Sequence, residues 1–109
     1  MSKLDFIRMD SEIFNNSKIQ IIENMLGGDT LIVIWLKLLA LAGREFPDGV
    51  FIMNGKGITG EMFAAILGEF EPTVRMALKT FTTFGMMELR DGVYSITNWK
   101  KWQSPKAPF

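Results

Sequence analysis

Residues 71–96 read EPTVRMALKTFTTFGMMELRDGVYSI, and the fold turns on how this run is parsed. Pro72 suits the first turn of a helix, where its missing N–H would have had no helical partner. Val74, Ala77, Leu78, Phe81 and Phe84 recur at helical spacing on one side. Arg75, Met76, Lys79, Thr82 and Thr83 fall on the other. Gly85 supplies a helix stop. Met86 to Arg90 and Val93 to Ile96 are β-prone, and Asp91-Gly92 between them is the strongest hairpin signal in the chain. The two-residue turn of a tight hairpin needs positive φ at both central positions, which Asp-Gly tolerates. The run therefore predicts a helix leading directly into a β-hairpin.

Upstream, Glu61 to Leu67 forms a short apolar-faced helix, and Gly68-Glu69-Phe70-Glu71 is the turn that joins it to the longer one. Val50-Phe51-Ile52-Met53 is a candidate first strand, followed by a glycine-rich loop over residues 54–60. Further back, Leu31 to Ala42 is apolar on nearly every side, as expected of a helix at the centre of a bundle or in an interface. Asp29 or Thr30 would cap it and Gly43 would end it. Ile19, Ile21, Ile22, Met25 and Leu26 mark an earlier helix that Gly27-Gly28 would stop, with Asn15, Asn16 or Ser17 as its cap. Leu4 to Met9 reads as a short extended segment. Asn98 to Gln103 reads as a last helical turn.

The order is helix, helix, strand, helix, turn, helix, strand, strand. This is a mainly α fold with a small antiparallel sheet (α+β), a winged helix-turn-helix with an N-terminal helical extension. Residues 1–103 are assigned to that one domain, and 104–109 to a linker start or disordered tail. In such a unit the second helix enters the major groove with its N-terminal residues nearest the bases. Thr73, Arg75, Met76, Lys79 and Thr80 are the candidate duplex contacts, with Arg90 on the wing and Lys56 in the glycine-rich loop in support.

The 109 residues contain no cysteine and no histidine. Disulfides, thiolate metal sites and histidine-based catalysis are thereby removed. The chain is read as a non-enzyme with no cofactor and no metal. Formal net charge is zero, yet it is unevenly spread. Residues 1–71 carry six cations against ten acids, and residues 72–109 carry six against two. Glu69 and Glu71, just before Pro72, work against a phosphate backbone approaching that helix. No secretory signal is visible and the apolar run at 31–42 is too short to cross a bilayer, so a cytoplasmic location and no membrane contact are expected.

Three further patterns have competing readings. Gly55-Lys56-Gly57-Ile58-Thr59-Gly60 matches G-x-G-x-x-G, but lacks the second parallel strand and the downstream acid of a dinucleotide site. It is read as a flexible loop. Trp99-Lys100-Lys101-Trp102 interleaves aromatics and cations as single-strand binders do, but docking of a Trp onto the core is favoured. Leu31, Trp35 and Leu38 are candidate homo-oligomer contacts, with complete burial by the rest of the chain as the alternative.

The chain also resembles the N-terminal domain of phage replisome organisers, a DnaD-like replication initiation family. The residues that carry the likeness are Ile19 to Glu23, Gly28 to Gly43, Gly49-Val50-Phe51, Thr73 to Glu88, Asn98-Trp99 and Gln103. The resemblance implies a winged helix that binds double-stranded origin DNA at the start of phage or plasmid replication. It also implies self-association and contact with a host helicase loader or another replication protein. The alternative is a winged-helix module for protein interaction or oligomerisation, binding a host or phage protein. A transcriptional regulator would share the same fold.

Overall fold

In the computed structural model, which describes residues 3–104, a 3-10 turn (Ile13–Asn15) precedes helices α1 (Ser17–Glu23) and α2 (Gly28–Glu45). A short hairpin of β1 (Ile52–Met53) and β2 (Lys56–Gly57) follows, then α3 (Gly60–Leu67) and α4 (Glu71–Thr83). A second hairpin, β3 (Met87–Arg90) and β4 (Val93–Ile96), leads to α5 (Trp99–Gln103). Both hairpins are antiparallel two-stranded sheets. The mainly α architecture with a small antiparallel sheet component is as the sequence pattern predicts. Of the tail assigned to 104–109, residues 105–109 lie outside the described residues.

The α2 helix runs through the centre. Leu31, Ile34, Trp35, Leu38, Leu41 and Ala42 are all buried. Apolar residues of that size each stabilise the fold by roughly 1.5–3 kcal/mol when fully buried. Trp35 packs on Phe81 of α4 with ring centroids 5.1 Å apart. From the end of α2, edge contacts run Phe46 to Phe51 (5.3 Å), Phe51 to Phe63 (5.1 Å) and Phe63 to Tyr94 (5.9 Å). This chain of rings ties α2, α3 and β4 into one core. Burial also corrects the interface expectation: Leu31, Trp35 and Leu38 are interior residues of a single chain. The exposed line of α2 is instead Asp29, Val33, Ala40 and Arg44.

Glycines explain where the element boundaries depart from expectation. Gly28 does not stop α1; it opens α2, with Gly27 as the N-cap residue. A β-carbon on Gly28 would overlap the carbonyl oxygens of Ile22 and Glu23, so glycine is what lets α1 and α2 cross so closely. Gly43 does not end α2 either. It lies inside the helix, and a β-carbon there would sit 2.5 Å from the Ile7 side chain. The N-terminal segment is not a strand. It is held by the Leu4 amide donating to the Gly43 carbonyl (2.8 Å). Leu26, expected on the α1 stripe, lies beyond the helix and is fully exposed.

The expected strand at 50–53 divides in two. Val50 makes an isolated bridge to Ser95, flanked by Phe51 N–H to Tyr94 O (2.9 Å) and Ile96 N–H to Gly49 O (2.9 Å). Ile52 and Met53 then turn away and pair with Gly57 and Lys56, inside what was read as a loop. Asn54 and Gly55 have φ of 53° and 78°, and Asp91 and Gly92 have 52° and 78°. Both hairpins thus close through the same positive-φ pair.

Gly28→Val is expected to destabilise the domain by ~1–3 kcal/mol, as overpacking at a fixed crossing does. Each kcal/mol would lower the melting temperature by roughly 4–8 °C in a domain of this size. Thermal unfolding followed by circular dichroism checks it; an unchanged midpoint would contradict the close crossing.

Candidate nucleic-acid interface

The α3 helix is capped by Thr59, whose hydroxyl oxygen accepts from the Met62 amide (3.2 Å), and it ends at Gly68 in the left-handed region. Only the turn to Phe70 separates it from α4. On α4, Val74, Ala77, Leu78 and Phe81 face the core. Arg75, Met76 and Lys79 are exposed, while Thr73 and Thr80 sit half-buried at the edge of that face. The Thr80 hydroxyl donates to the Met76 carbonyl (2.9 Å), so part of its hydrogen-bonding capacity is used within the helix.

Arg75 is held from two sides. Its Nε lies 2.7 Å from Glu71 Oε2, an i,i+4 pair. Its side chain also lies across the start of α3, where a β-carbon on Gly60 would be 3.1–3.3 Å from its Cγ, Cζ and Nη1. The other acid of the turn, Glu69, is paired as well: Lys37 Nζ lies 2.6 Å from its Oε2 and also donates to the Leu67 carbonyl (3.0 Å). The two acids expected to repel a phosphate backbone are therefore each matched by a cation of the same chain. The Glu71–Arg75 spacing is readable in sequence. The Lys37–Glu69 pair, with its partners 32 positions apart, carries no local signal.

The tip of the second hairpin abuts strand β2 of the first. A β-carbon on Gly57 would overlap the Gly92 carbonyl oxygen, which places Lys56 beside the tip Arg90-Asp91-Gly92. The Arg90 side chain is 81% exposed and only loosely paired with Glu88 at 3.4 Å. A pair of that kind contributes at most about 1 kcal/mol. Among the described residues Lys56 and Lys79 form no ion pair. Lys18, not among the residues the sequence pattern points to, reaches the far end of α4: its Nζ lies 3.7 Å from where a β-carbon on Gly85 would be. Only the packing of α1 brings it there.

The G-x-G-x-x-G run is accounted for by this packing. Gly55 closes the β1–β2 turn, Gly57 meets Gly92, and Gly60 lies under Arg75. A strand–turn–strand hairpin stands where a dinucleotide site needs a strand–helix–strand unit. In the other ambiguous motif, Trp99 is buried and its Nε1 donates to the Pro47 carbonyl (2.9 Å). Trp102 is half exposed, with the Lys101 ammonium 5.8 Å from its ring centroid.

A groove of about 900 Å³ opens between residues 8–16 and the α5 side of the core, floored by Trp35, Leu39 and Trp99. It is bridged by the Gln103 side-chain amide, which accepts from the Arg8 N–H (2.6 Å) and donates to the Arg8 carbonyl (2.9 Å). Its cations, Arg8 and Lys18, are balanced by Asp10 and Glu12. The groove therefore offers no net attraction to a polyanion. Among the described residues no helix is long and apolar enough to cross a membrane.

Trp99→Ala is expected to cost ~3–5 kcal/mol, as truncation of a buried aromatic does. Trp102→Ala should stay within about 0.5 kcal/mol of the parent, as a surface change does. Urea unfolding of both variants separates the two roles; equal losses would contradict the docking of Trp99 alone.

Residues 6–107 match the model of the N-terminal phage replisome organiser family. No curated protein matches the chain. No solved structure matches it either.

Proposed function

The chain belongs to the N-terminal phage replisome organiser family, a family of phage replication, and on that premise we propose that it is a non-enzymatic winged-helix module that grips double-stranded origin DNA. The observation that carries this reading is the outer face of α4, where Arg75, Met76 and Lys79 are exposed, with Lys56 and Arg90 exposed on the two hairpins. Glu69 and Glu71, the acids before and at the start of α4, are paired within the chain.

The chemistry runs as follows. The α4 helix lies in the major groove, with Thr73, Arg75 and Met76 toward the base edges. The Arg75 guanidinium exchanges Glu71 for the two acceptors of a guanine edge, a bidentate match. Lys79 and Thr80 hold phosphates, which fixes register without reading sequence. The tips bearing Lys56 and Arg90 rest on the flanking backbone. Acting at a phage origin, the module works in the cytoplasm of the host cell alongside the replication machinery, a host helicase loader or a second copy among its partners.

A second reading has its own support. Met62, Ala65 and Ile66 on the outer side of α3 are exposed, and Phe70 in the turn is 72% exposed. Apolar side chains there favour a protein partner docked on α3, which is compatible with a duplex on α4.

Fluorescence-anisotropy titration of a labelled duplex at two salt concentrations tests the main reading. The three cations placed on phosphates, Lys79, Lys56 and Arg90, predict a slope of log K against log salt near −2.7, that is, about −0.9 per contact. Lys79→Ala should weaken binding and make the slope shallower by about one unit. Arg75→Ala should weaken binding and reduce any preference among duplex sequences. Absence of binding at low salt, or variants indistinguishable from the parent, would overturn the proposal.

A further inference from the structure

Lys37 is the only charged residue between Leu31 and Gly43, in a helix that is otherwise almost wholly apolar. An aliphatic side chain would fit such a helix with less loss of rotamer freedom and no ammonium to desolvate. What the lysine does there is visible in its partners. Its ammonium donates to the Leu67 carbonyl, at the last residue of α3, and pairs with Glu69 in the turn. The helix terminus leaves that carbonyl without an intrahelical donor. Gly68 and Glu69 both direct their amides to Ala64 instead. A cation at this end also complements the dipole of α3.

The start of α4 meets the head of α3 through Arg75, but its N-cap residue, Phe70, makes no side-chain capping bond. The direction in which α4 leaves the turn therefore depends also on what holds the turn, and Lys37 holds it at two points, Leu67 and Glu69. The Glu69 side chain is only 19% exposed, so this pair is better shielded from solvent than the others among the described residues.

We propose that Lys37 is a positioning residue for duplex recognition. Through Leu67 and Glu69 it fixes the helix–turn–helix angle and thereby the placement of Thr73, Arg75 and Met76, without itself touching DNA. The inference rests on the duplex-binding reading above. It makes Glu69 a supporting residue, although its charge alone would disfavour DNA.

Two variants open the same clamp from opposite sides. Lys37→Met keeps the stem and removes the ammonium; Glu69→Gln removes the negative charge. Positioning predicts that both weaken duplex binding about tenfold, within the range for residues that act on a site through their neighbours. It also predicts a salt slope unchanged by Lys37→Met, since no phosphate contact is lost. Simple electrostatics predicts the opposite sign for Glu69→Gln, namely tighter binding. Tighter or unchanged binding by Glu69→Gln would overturn the proposal, as would a slope made shallower by about one unit in Lys37→Met. Amide hydrogen exchange of the 109-residue chain supplies a readout that needs no DNA. Both variants should lose protection at the Glu69 and Val74 amides, which donate to Ala64 and Phe70. Unchanged protection there would overturn the clamp by itself. A parent chain that binds no duplex would defeat the functional reading and leave the exchange result to decide the clamp.

Discussion

Everything in this chain is arranged around α2. A helix apolar on nearly all sides is insoluble alone, because exposing that area to water is opposed at about 25 cal/mol per Å². The chain meets this by wrapping the helix. The α1 helix crosses at Gly28, Ile7 packs at Gly43, Phe81 of α4 lies on Trp35, and the ring series from Phe46 closes the far end. Glycine occurs at the two crossings where a β-carbon would have no room. The remaining outward line is narrow, which is why residues that look like an interface in sequence are core in the fold.

The candidate recognition surface inherits its rigidity from the same helix. The α4 helix is fixed on its inner side by Val74, Ala77, Leu78 and Phe81. At its start it is fixed by the Lys37–Glu69 contact, which originates on α2. Arg75 adds a local tie to Glu71 and to the head of α3. The two hairpins meet at Gly57 and Gly92, so Lys56 and Arg90 are carried on one support. Acids that look unfavourable in a linear reading thus act as internal partners, Glu69 of Lys37 and Glu71 of Arg75.

The order of elements was legible because it rests on local chemistry. Pro72 at a helix start, the 3.6-residue stripe after it, and Asp91-Gly92 between β-prone runs each act within a few residues. The β1–β2 hairpin carries the same local signal in Asn54-Gly55, but the surrounding glycines also fit a G-x-G-x-x-G loop, and the sequence alone does not separate the two. The boundaries of α2 were not legible, since a glycine that ends a helix and one that permits a close crossing look alike until the partner is placed. For the site, the exposed cations of α4 followed from periodicity. Lys37, Glu69 and Lys18 did not, because their roles depend on elements far apart in sequence.

On the proposed reading, α4 and the two hairpins that carry Lys56 and Arg90 bind duplex together on a fixed core. Chemical-shift mapping of the isotope-labelled chain on adding duplex tests this most directly. The account predicts shifts concentrated at Thr73, Arg75, Met76, Lys79 and Thr80, with a second group at residues 54–56 and 90–92. Shifts confined to Met62, Ile66 and Phe70, or to the groove beside Trp102, would contradict it.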